Sequence, residues 1–110
     1  MPTDASVVIV ANMESKELMR RRVSVQDNAF AEMVLWQLEC PVPPCDHPYK
    51  YRLALIVQGQ CVVRYDNERG KGDHRHIDMT EKPYVFSTAE QLVADFFHDA
   101  RRWLDEHGHD

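Results

Sequence analysis

The C-terminal third of the chain carries an apolar stripe that determines what the rest of the fold must supply. Large apolar side chains recur there at helical spacing and would share one face of a helix: Leu92, Val93, Phe96, Phe97, Ala100, Trp103 and Leu104. Ser87 and Glu90 have the spacing of a capping box, so Ser87 is the predicted N-cap, and Gly108 is expected to end the helix. Such a helix requires a second apolar surface against which to pack.

The preceding sequence predicts that this surface is a β-sheet. Residues 17–26 alternate apolar and polar side chains, and residues 29–39 are rich in strand-forming Val, Leu, Phe and Trp. Asp27-Asn28 between them favours a turn, so the two segments form a predicted hairpin. In the second segment Phe30, Val34, Trp36 and Leu38 share one face.

A second hairpin is predicted further along the chain. Residues 50–57 and 60–65 are joined at Gly59, which supplies the positive φ of a tight turn. A two-residue turn would place Leu53 opposite Arg64.

The remaining segments complete an α+β architecture. Residues 41–48 contain four of the six prolines and are predicted to be a loop between strands. Residues 84–86 are predicted to form a short closing strand. We therefore predict a single domain over residues 1–110, an antiparallel sheet of four to five strands with one long C-terminal helix packed across it. Residues 1–14 are either a short strand or a variable N-terminal extension.

Composition excludes several classes of protein. No apolar run approaches the ~20 residues of a membrane-spanning helix, and the N-terminus lacks the pattern of a signal peptide. Three cysteines, an odd number, favour reduced thiols, so a cytoplasmic protein without membrane association is expected. Cys40, Cys45 and His47 lack the spacing of a zinc site, and no metal or other cofactor is predicted.

The net charge of −5 is unevenly distributed. Residues 1–77 hold ten basic and ten acidic side chains, whereas residues 78–110 hold three basic and eight acidic ones. The helix acids are expected to form a solvent-exposed face: Glu90, Asp95, Asp99, Asp105 and Glu106. The bases cluster instead at residues 20–22 and 64–76, which predicts a polarised molecule.

Residues 64–76 concentrate the chemically active side chains. Only Tyr65 is apolar there, so an exposed functional loop is expected. Gly70 and Gly72 would allow a turn with positive φ. His74 and His76 would leave the same face of an extended backbone about 6.5–7 Å apart, a spacing that suits one phosphate or one metal ion.

Several uses of this segment stay open. The first is a metal-independent ribonuclease in which the two histidines exchange protons with RNA and nearby bases stabilise the developing charge. The predicted catalytic residues are His74, His76, Lys71, Arg75 and Asp66. The predicted phosphate-binding residues are Arg64, Arg69, Gly70, Lys71 and Gly72, with Tyr65, Asn67, Glu68 and Asp73 in support.

The alternatives use the same residues differently. A metal-dependent nuclease would place Mg²⁺ or Mn²⁺ among Asp66, Glu68, Asp73 and the histidines, although four neighbouring bases disfavour a dication. A non-enzymatic nucleic-acid- or protein-binding module would dock phosphate on the segment. A charged loop without chemistry is the remaining possibility.

The segment also resembles a known family. Tyr65, Asp66, Asn67, Gly70, Lys71, Gly72, Asp73, His74, Arg75 and His76, followed by Pro-Tyr-x-Phe at residues 83–86, resemble the TumE family of small bacterial and archaeal proteins. The resemblance covers about residues 17–104, and the residues before Glu17 do not match it. It implies the toxin component of a toxin–antitoxin pair, with a neighbouring helix-turn-helix antitoxin as partner. Combined with the residue chemistry, it predicts a toxin that acts on RNA; a homodimer is left open.

Overall fold

An antiparallel meander forms the framework of the protein. The computed structural model describes residues 15–107. Its elements are β1 (Ser15–Gln26), β2 (Ala29–Leu38), β3 (Tyr49–Val57), β4 (Gln60–Glu68), β5 (Gly72–Ile77), β6 (Thr80–Pro83) and α1 (Ala89–His107). Each strand pairs with its sequence neighbours, in the order β1 to β6. The predictions for residues 1–14 and for Gly108 lie outside the described residues.

The predicted α+β class is confirmed, but the strand number is wrong. The sheet has six strands, not four to five, because the charged segment 64–76 is not a loop. It forms the end of β4, a turn and β5. Residues 84–86 are not a strand; the edge strand is β6, which returns through a turn where Asp78 has φ 54°.

The core lies between one face of the sheet and α1. Its buried residues are Ala31, Met33, Leu35, Tyr51, Leu53, Leu55, Val63, Tyr65, Leu92, Phe96 and Ala100. The predicted helix stripe is confirmed, since Val93, Phe97, Trp103 and Leu104 also pack against this cluster. In β2 the core side chains are the alternate ones, beginning at Ala29 and Ala31. The stripe that includes Phe30 and Trp36 therefore lies on the opposite side of the sheet, which we call the open face.

Both predicted hairpins form, and one predicted register is wrong. The turns contain residues with the expected left-handed backbone conformation, Asn28 in the first and Gln58 with Gly59 in the second. In the second hairpin Leu53 pairs with Tyr65, not with Arg64, because the register shifts by one residue between Leu55 and Ile56. This shift matters, since a one-residue slip exchanges the two faces of a strand.

The start of α1 and its acidic face also differ from the prediction. The Oγ1 of Thr88 accepts a hydrogen bond from the N–H of Gln91 at 3.0 Å, so Thr88 is the N-cap and not Ser87. Asp99 is 7% exposed and does not belong to a solvated face. Asp95 is half-buried and accepts a hydrogen bond from the Tyr84 hydroxyl at 2.6 Å.

The two candidate caps give a direct test. Thr88→Ala removes the side-chain acceptor at the helix start and should lower the free energy of unfolding by about 1 kcal/mol. Ser87→Ala is the matched control and should change it by less than about 0.5 kcal/mol. Urea unfolding followed by circular dichroism measures both. A larger loss in the Ser87 variant would contradict the assignment.

Candidate functional site

The β4–β5 hairpin brings a charged cluster together on the open face. Arg64 pairs with His76 and Asp66 pairs with His74 across these strands. Glu81 of β6 pairs with His76 from the other side. Residues two apart on a strand share a face, so the five side chains lie together, which confirms that the two histidines leave the same face. We call this group the histidine cluster.

The contacts of His76 specify its protonation. Arg64 Nη2 lies 3.0 Å from His76 Nε2. A guanidinium can only donate, so His76 Nε2 is an unprotonated acceptor and the ring proton lies on Nδ1. The same Nε2 atom is 3.9 Å from Asp66 Oδ1 and 3.7 Å from Glu81 Oε2.

Glu81 lies between the two imidazoles. His74 Nε2 is 3.8 Å from the Glu81 Oε2 atom that also approaches His76. Lys71 Nζ reaches to 4.0 Å from this oxygen, and its side chain is 56% exposed. The carboxylate therefore gathers two histidines and a lysine at one position on the sheet.

Arg64 is held by a hydrogen bond to His76 and by an ion pair with Asp66. Its Nε lies 3.1 Å from Asp66 Oδ2. The Arg64 Nε atom is nevertheless buried and has no hydrogen-bond partner among residues 15–107, so its contact with Asp66 is an ion pair without a well-aligned hydrogen bond. The side chain as a whole is 32% exposed, so part of its guanidinium is accessible from the open face.

The turn between β4 and β5 has the predicted backbone but not the predicted use. Gly70 and Gly72 have φ of 85° and 82°, as expected. However, the N–H of Gly70 donates to Pro43 O at 3.0 Å, and the N–H of Lys71 donates to Glu68 O at 3.1 Å. These two amides are occupied and do not form a phosphate cradle. Exposed Arg69 lies in the same turn.

Four of the predicted site residues lie on the other side of the sheet, the side that carries α1, and do not join the histidine cluster. Arg75 Nη1 lies 3.3 Å from Asp99 Oδ2, and the Tyr65 hydroxyl also donates to Asp99. Burial, reinforced by that hydrogen bond, raises the pKa of Tyr65. Asn67 is buried and accepts a hydrogen bond from the N–H of Tyr51 at 3.0 Å. Asp73 belongs to a separate cluster.

That second cluster consists of Cys45, His47 and Asp73. His47 Nε2 lies 2.9 and 3.0 Å from the two Asp73 oxygens, and Cys45 Sγ lies 3.8 Å from Oδ2. The three potential ligand atoms converge within 4.8 Å. The Tyr51 hydroxyl donates to Asp73 at 2.7 Å. The sequence pattern does not reveal this grouping, because Asp73 lies on β5, 28 residues after Cys45 in the chain.

Hydrogen bonding completes this second cluster. The N–H of Tyr49 donates to His47 Nδ1 at 3.3 Å, so the ring proton lies on Nε2 and points to Asp73. Burial is the main cause that raises the pKa of the Cys45 thiol, which disfavours the thiolate that a metal needs. The cluster therefore acts as a tether that attaches the loop to β5.

The carboxylates that a metal-dependent nuclease would use lie on different faces of the sheet. Asp66 lies on the open face, whereas Asp73 faces the proline-rich loop and Tyr51. Among residues 15–107 the only three potential metal-ligand side chains whose ligand atoms all lie within 4.8 Å of one another are Cys45, His47 and Asp73.

Sequence reasoning missed Glu81. The signal was present in Asp78, which tolerates a left-handed conformation as Asn28 does. A tight turn there would have predicted that Glu81 lies opposite His76.

A comparison with protein families identifies the class. The family model Toxin TumE matches residues 3–104, so the chain belongs to the TumE toxin family. The match confirms the resemblance and begins well before Glu17, so the expectation that the earlier residues fall outside the family is wrong. No curated protein and no solved structure matches the chain. Membership supports a toxin role and, in general, an antitoxin partner.

One further structural finding concerns membranes. Within residues 15–107, the single helix is too polar to be a membrane-spanning segment.

The tether predicts the metal content of the protein. Because His47 Nε2 carries its proton toward Asp73, protein purified without added metal should contain far less than one zinc per chain. Elemental analysis by mass spectrometry measures this, with Cys45→Ser as the comparison. Stoichiometric zinc that disappears in this variant would contradict the hydrogen-bonded assignment.

Proposed function

We propose that this TumE-family toxin is a metal-independent ribonuclease whose active site is the histidine cluster. The observation that supports this most strongly is that His76 Nε2 lies in hydrogen-bond contact with Arg64 and beside His74, on a face that α1 does not cover. Cleavage of RNA through its own 2′-hydroxyl needs a base, an acid and cations, and the cluster provides all three.

His76 is the proposed base. Its Nε2 accepts the proton of the 2′-hydroxyl, and the 2′-oxygen then forms a bond to the adjacent phosphorus. Arg64 now donates to this Nε2 at 3.0 Å. When the hydroxyl takes that position, the guanidinium is released toward the phosphate, where it stabilises the developing negative charge.

His74 is the proposed acid. Its protonated ring donates to the 5′-oxygen as the bond between phosphorus and that oxygen breaks. The products are a 2′,3′-cyclic phosphate and a 5′-hydroxyl end. Glu81, 3.8 Å from His74 Nε2, provides a counter-ion for the imidazolium.

The remaining predicted residues have supporting roles. Lys71 adds charge from the turn, and Asp66 holds Arg64 in place. Arg75 is a positioning residue, because its contact with Asp99 fixes β5 to α1. Arg69 is retained as a phosphate contact at the hairpin tip.

A second candidate function is a phosphate-docking module without chemistry. The observation that favours it is the Arg64–His76 contact, which occupies the lone pair that a base requires. In that case the cluster binds a phosphate group and cleaves nothing.

The family role leads to proposals about partner and location. We propose that the antitoxin is a helix-turn-helix protein encoded beside this chain, and that both act in the cytoplasm. A homodimer is not required by the mechanism, because every proposed catalytic group belongs to one chain.

Substitution of the histidines tests the catalytic assignment. His74→Ala and His76→Ala should each lower the rate of RNA cleavage by about 10²–10⁴-fold, because each removes a proton-transfer group. Lys71→Ala should lower the rate and leave the shape of the pH profile unchanged, because lysine does not titrate near neutral pH. Cleavage of a labelled RNA measures the rates.

Matched variants control for stability. His98→Ala and Arg101→Gln alter exposed residues of α1, on the other side of the sheet from the cluster, and should keep the wild-type rate. Thermal melts should show that the active-site variants lose at most about 1 kcal/mol. Full cleavage by the double histidine variant would reject the assignment and favour the docking module.

Expression in cells tests the toxin role. The wild-type chain should arrest growth when produced alone, and co-expression of its neighbouring partner should restore growth. The His74→Ala/His76→Ala double variant should be tolerated at the same soluble level. Normal growth with abundant soluble wild-type protein and no partner would contradict the proposal.

A further inference from the structure

Two rows of side chains cross the open face at right angles to the strands. The first row contains Arg22, Glu32, Ala54, Arg64, His76 and Glu81, one from each strand. The second contains Arg20, Val34, Arg52, Asp66 and His74, from β1 to β5. Both rows end at the histidine cluster, and together they hold four arginines against three carboxylates.

The arginines of the two rows that lie on β1 and β3 are accessible. Arg22 and Arg52 are exposed, and within residues 15–107 neither has a carboxylate within the 4.0 Å of an ion pair. Arg20 is bound to Glu17 at 3.0 Å and is 61% exposed. Three guanidinium groups that the proposed chemistry does not use therefore lie in the same two rows as the histidine cluster, although Glu32, Ala54 and Val34 stand between some of them.

Aromatic side chains flank the charged rows. Trp36 is half-buried on β2, directly beyond the row that contains Val34. Phe30 lies beyond the other row, with the Arg22 guanidinium 4.0 Å above its ring centroid. Unpaired bases stack on aromatic rings and on guanidinium planes of a sheet surface, whereas bases in a duplex are not available for such stacking.

We infer that a single-stranded RNA crosses the open face from β1 to β5, with its phosphates at the arginine rows and a base against Trp36. This inference rests on the proposed function, because the rows deliver the strand to His74 and His76. Neighbouring strands of a sheet lie about 4.8 Å apart, so the path from β1 to β5 is about 19 Å long, enough for several nucleotides. The arginines suit a polyanion, and the aromatic side chains beside them favour nucleic acid over an acidic protein, because bases stack on aromatic rings.

Binding without cleavage tests the path separately from the chemistry. The probe is a fluorescent single-stranded RNA of about 12 nucleotides with 2′-O-methyl groups, which block the attacking hydroxyl. Arg22→Gln/Arg52→Gln should raise its Kd at least tenfold and reduce the slope of log K against log salt by about 1.4. Trp36→Ala should raise the Kd at least about fivefold through lost stacking.

The controls separate the alternatives. Arg101→Gln removes an exposed arginine on α1, on the other side of the sheet, and should bind as the wild type does. A duplex of the same sequence should bind more weakly than the single strand. Wild-type affinity in the arginine double variant, or equal affinity for the duplex, would overturn the inference. If binding depends on the arginines and Trp36 but the wild-type protein does not cleave unmodified RNA, the proposed RNA path stands and the ribonuclease proposal fails.

Discussion

The pairing of β4 with β5 is the constraint on which the rest of the structure depends. Alternation along these strands sends Tyr65 and Arg75 toward α1 and sends Arg64 and His76 to the open face. Asp99 on α1 contacts both Tyr65 and Arg75, so α1 fixes the hairpin whose opposite face carries the candidate site. A polar network of this kind specifies one arrangement, because each buried group would lose its partner in any other.

The proline-rich loop fixes the other end of the same hairpin. The carbonyl of Pro43 accepts a hydrogen bond from the N–H of Gly70, and both His47 and Cys45 contact Asp73. The His47 ring also stacks on Phe86, with centroids 3.9 Å apart, in the segment that leads into α1. Arg64 and both histidines therefore project from strands that are supported at both ends, and a site built on such elements is held more precisely than one on a free loop.

Much of the fold was predictable from the sequence, since the hairpin turns and the helix stripe are local patterns. The charge of residues 64–76 argues against a strand, but a strand with one open face tolerates charged side chains on that face. Tyr65 was the available signal, an aromatic residue between charged neighbours at period two. The separation of Arg75 from the histidines follows from the same alternation. The contacts of Asp73 with His47 and of Glu81 with His76 depend on tertiary structure, which no local sequence pattern shows.

The central claim is that the histidine cluster promotes attack by the 2′-hydroxyl without a metal ion. The most direct measurement is the chemical identity of the RNA ends produced by wild-type protein in EDTA, determined by mass spectrometry of a defined oligonucleotide. Cleavage with 2′,3′-cyclic phosphate and 5′-hydroxyl ends is expected. Products with 3′-hydroxyl and 5′-phosphate ends, or cleavage that requires a divalent metal, would contradict it.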